Sequence, residues 1–301
     1  MSDSKKLIEQ IKKLKKEKNA ILLVHNYQRP EIYEVADFIG DSLELSRKAS
    51  QTDADTIVFC GVKFMAETAK ILSPNKNVLL PVIEAGCSMA DMITAEQVLE
   101  LRAKYPNAAV VSYVNTNADV KAVSDICCTS ANAIKVVNSL PNDEIIFLPD
   151  KNLGHYVQQH STKTIHLWAG YCAVHQDLKG TDLIAFKKEH PLAKIIAHPE
   201  CQEDILEVAD FVCSTGGMAK YAEQNGSEEF IVVTECGMTD KLRQDVPSKN
   251  FLSFCNLCSF MKATTLESVL AALQENKHQI ILDEEMMNKA RKSIVNMLAV
   301  V

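Results

Sequence analysis

One eighteen-residue pattern occurs three times in this chain, at residues 25–42, 113–130 and 198–215, with starts 88 and 85 residues apart. Each copy opens on a polar ring residue, His25, Tyr113 or His198, directly after an apolar run. Ten positions later each has Val, a small residue, Asp, and Phe or Ile, which sets Asp37, Asp125 and Asp210 at one offset. Each ends on a hydroxyl, Ser42, Ser130 or Thr215. A fixed long period is the signature of repeated structural units. It predicts three similar units, residues 1–106, 107–192 and 193–301. Units of about 85 residues are small for independent cores, so tight packing between them is expected.

Short apolar runs alternate with helical patterns in every unit. The first has predicted strands at 21–24, 56–60 and 78–82, with a helix opened by Pro30 that runs through Val35 and Phe38. Thr94 and Gln97 form a capping box for a later helix. The second unit has strands near 109–112, 145–148 and 164–168, and the third near 194–197, 230–234 and 251–254. A lysine-rich amphipathic helix over 3–18 opens the chain; a last strand at 279–282 and a helix from Glu284 to about Leu298 close it. The alternation is that of α/β proteins with parallel sheets. Such sheets bind ligands beyond the carboxyl ends of their strands. His25, Tyr27, Tyr113, Asn115, His198 and Glu200 all follow first strands. Three units related by pseudo-threefold symmetry would aim those ends at one another, so the active site is expected at their central junction.

A composition of 47% apolar and 24% charged residues suits a core-forming soluble protein. The net charge of −7 offers nothing to nucleic acid or an anionic membrane. No eighteen-residue apolar run occurs, and the N-terminal segment lacks the apolar centre of a secretion signal, so a cytoplasmic protein is expected.

Ten cysteines in a reducing compartment argue against a disulfide framework. Three of them, Cys87, Cys172 and Cys258, each follow the third strand of a unit and lie 85 and 86 residues apart, the period of the repeat. Cys60, Cys127, Cys128, Cys201, Cys213 and Cys236 have no such equivalents and read as core residues or neighbours of the site. Cys255 and Cys258 form a CxxC pair, which invites a zinc or redox reading. Against it, no second CxxC exists and Cys255 falls at a strand end, out of register with the other units. Three converging thiolates are too soft for magnesium or calcium. They would hold zinc with an open position, or an iron–sulfur cube with one iron lacking a cysteine. An open iron is a Lewis acid suited to carboxylates and to loss of hydroxide, which points to dehydration or condensation. The compact cysteine triplet of radical S-adenosylmethionine clusters is absent.

The polar residues suit an anionic substrate. His25 and His198 would serve as cations toward carboxylate or phosphate, or as proton shuttles near neutral pH; the bland alternative is a satisfied structural histidine. Ser42, Ser130 and Thr215, with Gly216 and Gly217, would offer hydroxyls and backbone N–H groups to anions, although Ser-Thr-Gly-Gly alone is only a turn. Glu200 and Tyr27 are the natural acid/base candidates. His175, three residues after Cys172, neighbours the ligand shell or is another acid/base group.

These residues stand in motifs that resemble one family. His25-Asn-Tyr-Gln, Gly86-Cys-Ser-Met-Ala-Asp, Tyr113-Val-Asn-Thr-Asn, Cys127-Cys-Thr-Ser-Ala-Asn, Pro149-Asp-Lys-Asn-Leu-Gly, Trp168-Ala-Gly-Tyr-Cys-Ala-Val-His, His198-Pro-Glu-Cys, Ser214-Thr-Gly-Gly-Met and Cys258-Ser-Phe-Met-Lys resemble the iron–sulfur-dependent (type A) quinolinate synthases. The likeness covers about residues 20–299. It implies a triangle of three Rossmann-like αβα units with the active site at its centre. It implies a [4Fe–4S] cluster, one per chain, held by Cys87, Cys172 and Cys258. It implies condensation of iminoaspartate with dihydroxyacetone phosphate to quinolinate, phosphate and water in NAD biosynthesis, with functional coupling to an L-aspartate oxidase or dehydrogenase. Substrate contacts would come from His25, Ser42, Tyr113, Asn115, Ser130, His198, Glu200 and Thr215, and acid/base work from Glu200, Tyr27 and His175. Some family members carry a C-terminal cysteine motif proposed to form a disulfide. This chain has no cysteine after Cys258, so that regulation is not expected.

Two rival readings share parts of this evidence. An aconitase-like hydro-lyase would use the same open iron on a single hydroxy acid and need no phosphate ester. A non-catalytic iron–sulfur sensor would have a fully ligated cluster and an effector surface, and the sequence offers no sign of either.

Overall fold

The computed structural model describes residues 3–300. Its twelve strands form three four-stranded sheets, every pairing parallel. The first sheet holds β1 (Ala20–His25), β2 (Phe38–Gly40), β3 (Thr56–Cys60) and β4 (Asn77–Leu79). The second holds β5 (Ala109–Tyr113), β6 (Ile126–Cys128), β7 (Glu144–Leu148) and β8 (Thr164–Leu167). The third holds β9 (Lys194–Ala197), β10 (Phe211–Val212), β11 (Glu229–Glu235) and β12 (Asn250–Asn256). All three share one order: second, first, third, fourth. The protein is α/β, with three αβα units of the Rossmann-like kind. Central strands are covered by helices on both faces, which is why β3 and β5 are buried at every residue and read as unbroken apolar runs.

The repeated aspartate has a structural purpose. Asp37 Oδ2 accepts the N–H of Leu22 at 2.7 Å, Asp125 Oδ2 that of Val110 at 2.7 Å, and Asp210 Oδ2 that of Ile195 at 2.8 Å. Each carboxylate also pairs with a cation, Lys15, Arg102 or Lys194, at 2.8, 2.9 and 2.7 Å. The carboxylate thus ties the turn before each second strand back onto the first strand.

Three expectations from the sequence need correction. The helix opened by Pro30 ends at Tyr33, and Phe38 begins β2 instead. The Val-Ala-Asp turn carries the chain back, and Asp37 N–H bonds Leu22 O, so the edge strand displaces the helix. The run at 279–282 is no strand: Gln279 makes one isolated antiparallel bridge to Leu79. It covers the open edge of β4, with Ile280 buried and Ile281 exposed. The third strand predicted at 78–82 is likewise shortened to β4, ahead of Pro81, which has no N–H for a ladder.

The last two helices join the units. Leu266–Glu275 packs on Asp3–Glu17 against the first sheet, sharing a core of Ile8, Ile11, Leu22, Val269 and Leu273. Glu284–Ala299 buries Ile294 and Met297 in the large core that the first and second sheets share. Among the described residues, no helix is long and apolar enough to cross a membrane.

Candidate active site

The carboxyl ends of the three sheets surround a cavity of about 340 Å³. His25, Tyr27, Ser42 and Cys87 reach it from the first unit. Tyr113, Asn115, Ser130, Cys172 and His175 come from the second, and His198, Glu200, Thr215 and Cys258 from the third. Every residue singled out from the sequence as a site candidate therefore lines the same space.

The two histidines are oriented by one repeated backbone bond. His25 Nδ1 accepts the N–H of Tyr27 at 3.1 Å, and His198 Nδ1 accepts the N–H of Glu200 at 3.4 Å. A nitrogen that accepts carries no proton, so each neutral ring presents Nε2–H as a donor. His198 Nε2 meets Ser130 Oγ at 3.2 Å. Burial, then His198 and Lys262, lowers His25 to about 3. Burial also lowers His198 to about 4, against the pull of Glu200. Both are neutral at pH 7, which corrects the expectation of cations or neutral-pH shuttles: enclosed rings lose more by desolvation than nearby charge returns.

Glu200 is the charge at the centre. Burial alone would push its carboxyl up, but His198, His175 and a hydrogen bond from Tyr113 outweigh it and hold the group well below the usual range. Tyr113 Oη donates to Glu200 Oε1 at 2.5 Å. His175 Nδ1 stands 2.8 Å from Glu200 Oε2, outside hydrogen-bond alignment. On its other side His175 Nε2 meets Thr234 Oγ1 at 2.8 Å, and Thr234 Oγ1 meets Tyr27 Oη at 2.6 Å. Tyr113, Glu200, His175, Thr234 and Tyr27 form one continuous polar chain through all three units. Thr234 is fully buried inside an apolar strand. Its neighbours in sequence give no sign of its role, and only its strand register relative to His198 does.

Two helix starts face the same cavity. Ser42 and Thr215 are the first residues of ten-residue helices, capped by Asp41 and Ser214. Ser214 Oγ donates to Asp41 Oδ2 at 3.2 Å, so the two helix starts adjoin. Helix N-termini carry partial positive charge, although here Asp41 already takes the N–H groups of Leu43 and Glu44 and Ser214 that of Gly217. Asn115 Oδ1 is buried with no hydrogen-bond partner among the described residues, an acceptor open to a ligand's N–H or O–H.

Cys87, Cys172 and Cys258 are free thiols, each half-buried on the cavity wall. Burial pushes the Cys87 thiol up to about 12, with Glu200 and Cys258 adding to the rise. It also raises Cys172, helped by Glu200 and Cys87, and raises Cys258. Three soft donors that resist ionisation unless a cation arrives fit an iron–sulfur group or zinc and fit no hard cation. Cys172, His175 and Glu200 also place ligand atoms within 4.8 Å of one another, a second way the described residues could hold a metal.

One cysteine reading fails. Cys236 and Cys255 are joined in a disulfide with their Cα atoms 5.0 Å apart, so Cys236 is no free core thiol and disulfides are not absent. Parallel pairing is the cause: Thr234 lies opposite Cys255, which brings the residue just past β11 beside β12. It also removes Cys255 from any chelating pair with Cys258. Cys60, Cys127, Cys128 and Cys201 are buried and Cys213 half-buried, as core residues should be.

Three further polar residues were missed, Glu235 on the cavity wall and Lys262 and Asp150 bonded to residues of that wall. Lys262 Nζ donates to the Tyr27 carbonyl and to Glu235 Oε2, while Asp150 and Glu235 are buried carboxylates at strand ends. A Cβ at Gly237 would come within 2.8 Å of the Tyr27 carbonyl oxygen, so this close approach of backbones requires glycine.

A family model for the quinolinate synthetase A protein matches residues 9–299. The chain belongs to the quinolinate synthase family. It is 51% identical to the quinolinate synthase of Alkaliphilus metalliredigens over 98% of both chains. It is 52% identical to that of Clostridium acetobutylicum over 97% of both. It is 50% identical to quinolinate synthase 1 of Methanosarcina acetivorans, over 98% of this chain and 97% of the relative. Family membership makes the chain an enzyme, and the cavity its candidate active site.

Proposed function

We propose that this enzyme condenses iminoaspartate with dihydroxyacetone phosphate to quinolinate, phosphate and water, for NAD biosynthesis in the cytoplasm. Cys87, Cys172 and Cys258 would hold a [4Fe–4S] cluster. When bound, the cluster supplies one iron without a cysteine, a Lewis acid for substrate nitrogen or oxygen. The observation that carries the reading is the single cavity where three free thiols, two helix N-termini and an ionised carboxylate meet. That combination suits substrates bearing phosphate and carboxylate that must lose water.

The helix starts at Ser42 and Thr215 bind phosphate or carboxylate without a full positive charge. His25 and His198 donate Nε2–H to the same groups, and Asn115 Oδ1 takes a substrate N–H or O–H. Glu200, held ionised, accepts the proton that substrate carbon or nitrogen gives up. It passes that proton to His175 Nδ1 as His175 Nε2 gives its own to Thr234. Thr234 gives its own to Tyr27, and Tyr27 protonates departing hydroxide. The relay moves one proton from substrate and forms one of the two waters that this condensation releases. Holding two flexible substrates in one closed cavity supplies a large part of the rate.

The test is anaerobic. The protein is reconstituted with iron and sulfide, and its absorbance and EPR spectra are followed while quinolinate is added. A four-iron spectrum that changes with quinolinate is expected. A cluster indifferent to quinolinate would overturn the substrate assignment, and zinc without iron would overturn the metal. Coupling to an L-aspartate oxidase or dehydrogenase that delivers iminoaspartate is part of the same proposal.

A further inference from the structure

The repeat contains a position that the eighteen-residue pattern does not reach. Val24 pairs with Cys60, Ser112 with Leu148 and Ala197 with Val233. Two residues past each of these third-strand partners stand Val62, Asp150 and Glu235, which lie 88 and 85 residues apart like the copies themselves. Two of the three are acids, and both are buried to within 1% of complete enclosure.

Their hydrogen bonds match in kind: one oxygen goes to a helix start three residues on for Asp150 and two on for Glu235, the other to a cysteine. Asp150 Oδ1 accepts the N–H of Leu153 at 2.7 Å, at the start of the helix Lys151–Gln159. Its Oδ2 accepts the N–H of Cys172 at 3.1 Å. Glu235 Oε2 accepts the N–H of Gly237 at 2.7 Å, at the start of the helix Gly237–Asp245. Its Oε1 accepts the N–H of Cys258 at 3.1 Å. One oxygen serves the helix start; the other reaches across to the cysteine that follows the neighbouring strand. A buried carboxylate is costly, and burial raises both acids. Lys262 offsets that cost for Glu235, whereas among the described residues no cation pairs with Asp150. A neutral cap would serve either helix, so the retained acids call for a second role.

We propose that Asp150 and Glu235 are positioning residues for the metal group of the cavity, each carboxylate locking the backbone of one ligand cysteine, Cys172 or Cys258. The first unit has Val62 there, and Cys87 is the ligand left free to adjust. The inference rests on the reading of these three cysteines as cluster ligands. It makes the pseudo-threefold site unequal: two ligands are preset by the fold and one is recruited.

The experiment uses the full chain, reconstituted anaerobically. Asp150→Asn and Glu235→Gln each keep shape and remove one acceptor oxygen. Loss of partners behind a metal ligand weakens metal binding about 10- to 100-fold, so a chelator should extract iron at least about tenfold faster from both. The EPR signal of the reduced cluster should shift in both. Glu67→Gln is the comparison, because Glu67 is a buried carboxylate that accepts the N–H of Ala118, not of a cysteine. Its extraction rate and EPR signal should match those of the unaltered protein. Unchanged extraction in Asp150→Asn and Glu235→Gln would overturn the proposal, as would equal acceleration in Glu67→Gln. A second measurement needs no variant to fold. Amide exchange in the unaltered, iron-free chain should be at least about tenfold slower at Cys172 and Cys258 than at Cys87; equal rates would overturn the inference. If Cys172→Ala kept its full iron count while the exchange order held, the cluster assignment would fall and the clamps would stand.

Discussion

The first and third sheets are built alike and used differently. Both run in the same strand order, and both tie the first strand to an aspartate, Asp37 or Asp210. In both, a histidine at or just past the end of that strand accepts through Nδ1 the N–H two residues on. Both place a hydroxyl, Ser42 or Thr215, at the first position of a ten-residue helix. They part where side chains meet the cavity. Two residues past the histidine stands Tyr27 in one and Glu200 in the other, and the second sheet has Asn115 at that place. The bonds that shape a unit recur because backbone N–H groups must be satisfied the same way in each copy. The groups facing the cavity diverge because its chemistry needs a different group on each wall.

The comparison breaks most visibly at the cysteines. Cys87→Ala and Cys258→Ala should each abolish cluster assembly by iron and sulfide analysis, while Cys255→Ala should retain iron. Iron retained without Cys258 would show the wrong register. Glu200→Gln should lower kcat about a thousandfold with iron content unchanged, and Tyr27→Phe about a hundredfold, because general acid–base groups contribute in that range. An active Glu200→Gln would remove Glu200 as the base.

The histidine pair predicts acid lability. Folded His25 and His198 titrate near 3 and 4, below the unfolded value of 6.5. The unfolded chain therefore binds protons first as pH falls. Stability from the neutral rings is complete above about pH 6.5 and is lost from there down to the folded values. Between pH 6 and 5 each should cost about 1.4 kcal/mol per pH unit. His25→Gln should remove about half of that slope in urea unfolding, and an unchanged slope would mean His25 is not held neutral. The smallest expected effect sits where the two sheets agree. Asp37→Ala and Asp210→Ala should each cost about 1 to 2 kcal/mol of stability and leave kcat/KM within about twofold. A loss confined to one of them would show that the repeated bond is not equivalent.

The parallel α/β class, the threefold repetition and the convergence of thirteen candidate residues on one cavity could be read from strand ends and repeat offsets, because a long period keeps equivalent residues at equivalent offsets. The short second strands β2, β6 and β10 could not, since two or three residues carry too little pattern to stand out from a turn. Thr234 was hidden for another reason. It sits in a buried strand where every residue is inward, and only the pairing of β9 with β11 sets it beside the site. The Cys236–Cys255 disulfide likewise depends on β11 lying next to β12, a neighbour relation between residues nineteen positions apart.

What the sequence by itself determined is periodic and local: apolar runs, the turn aspartates, helix caps, and cysteines at the repeat interval. These depend on the chain's own near neighbours and recur wherever the pattern recurs. What only the tertiary structure decided is convergence. Three sheets facing one cavity join Tyr27 to Glu200 through Thr234 and His175, and hold Cys172 and Cys258, but not Cys87, against buried carboxylates. The first relation depends on how separate units pack, and the second on which strands lie side by side within a unit.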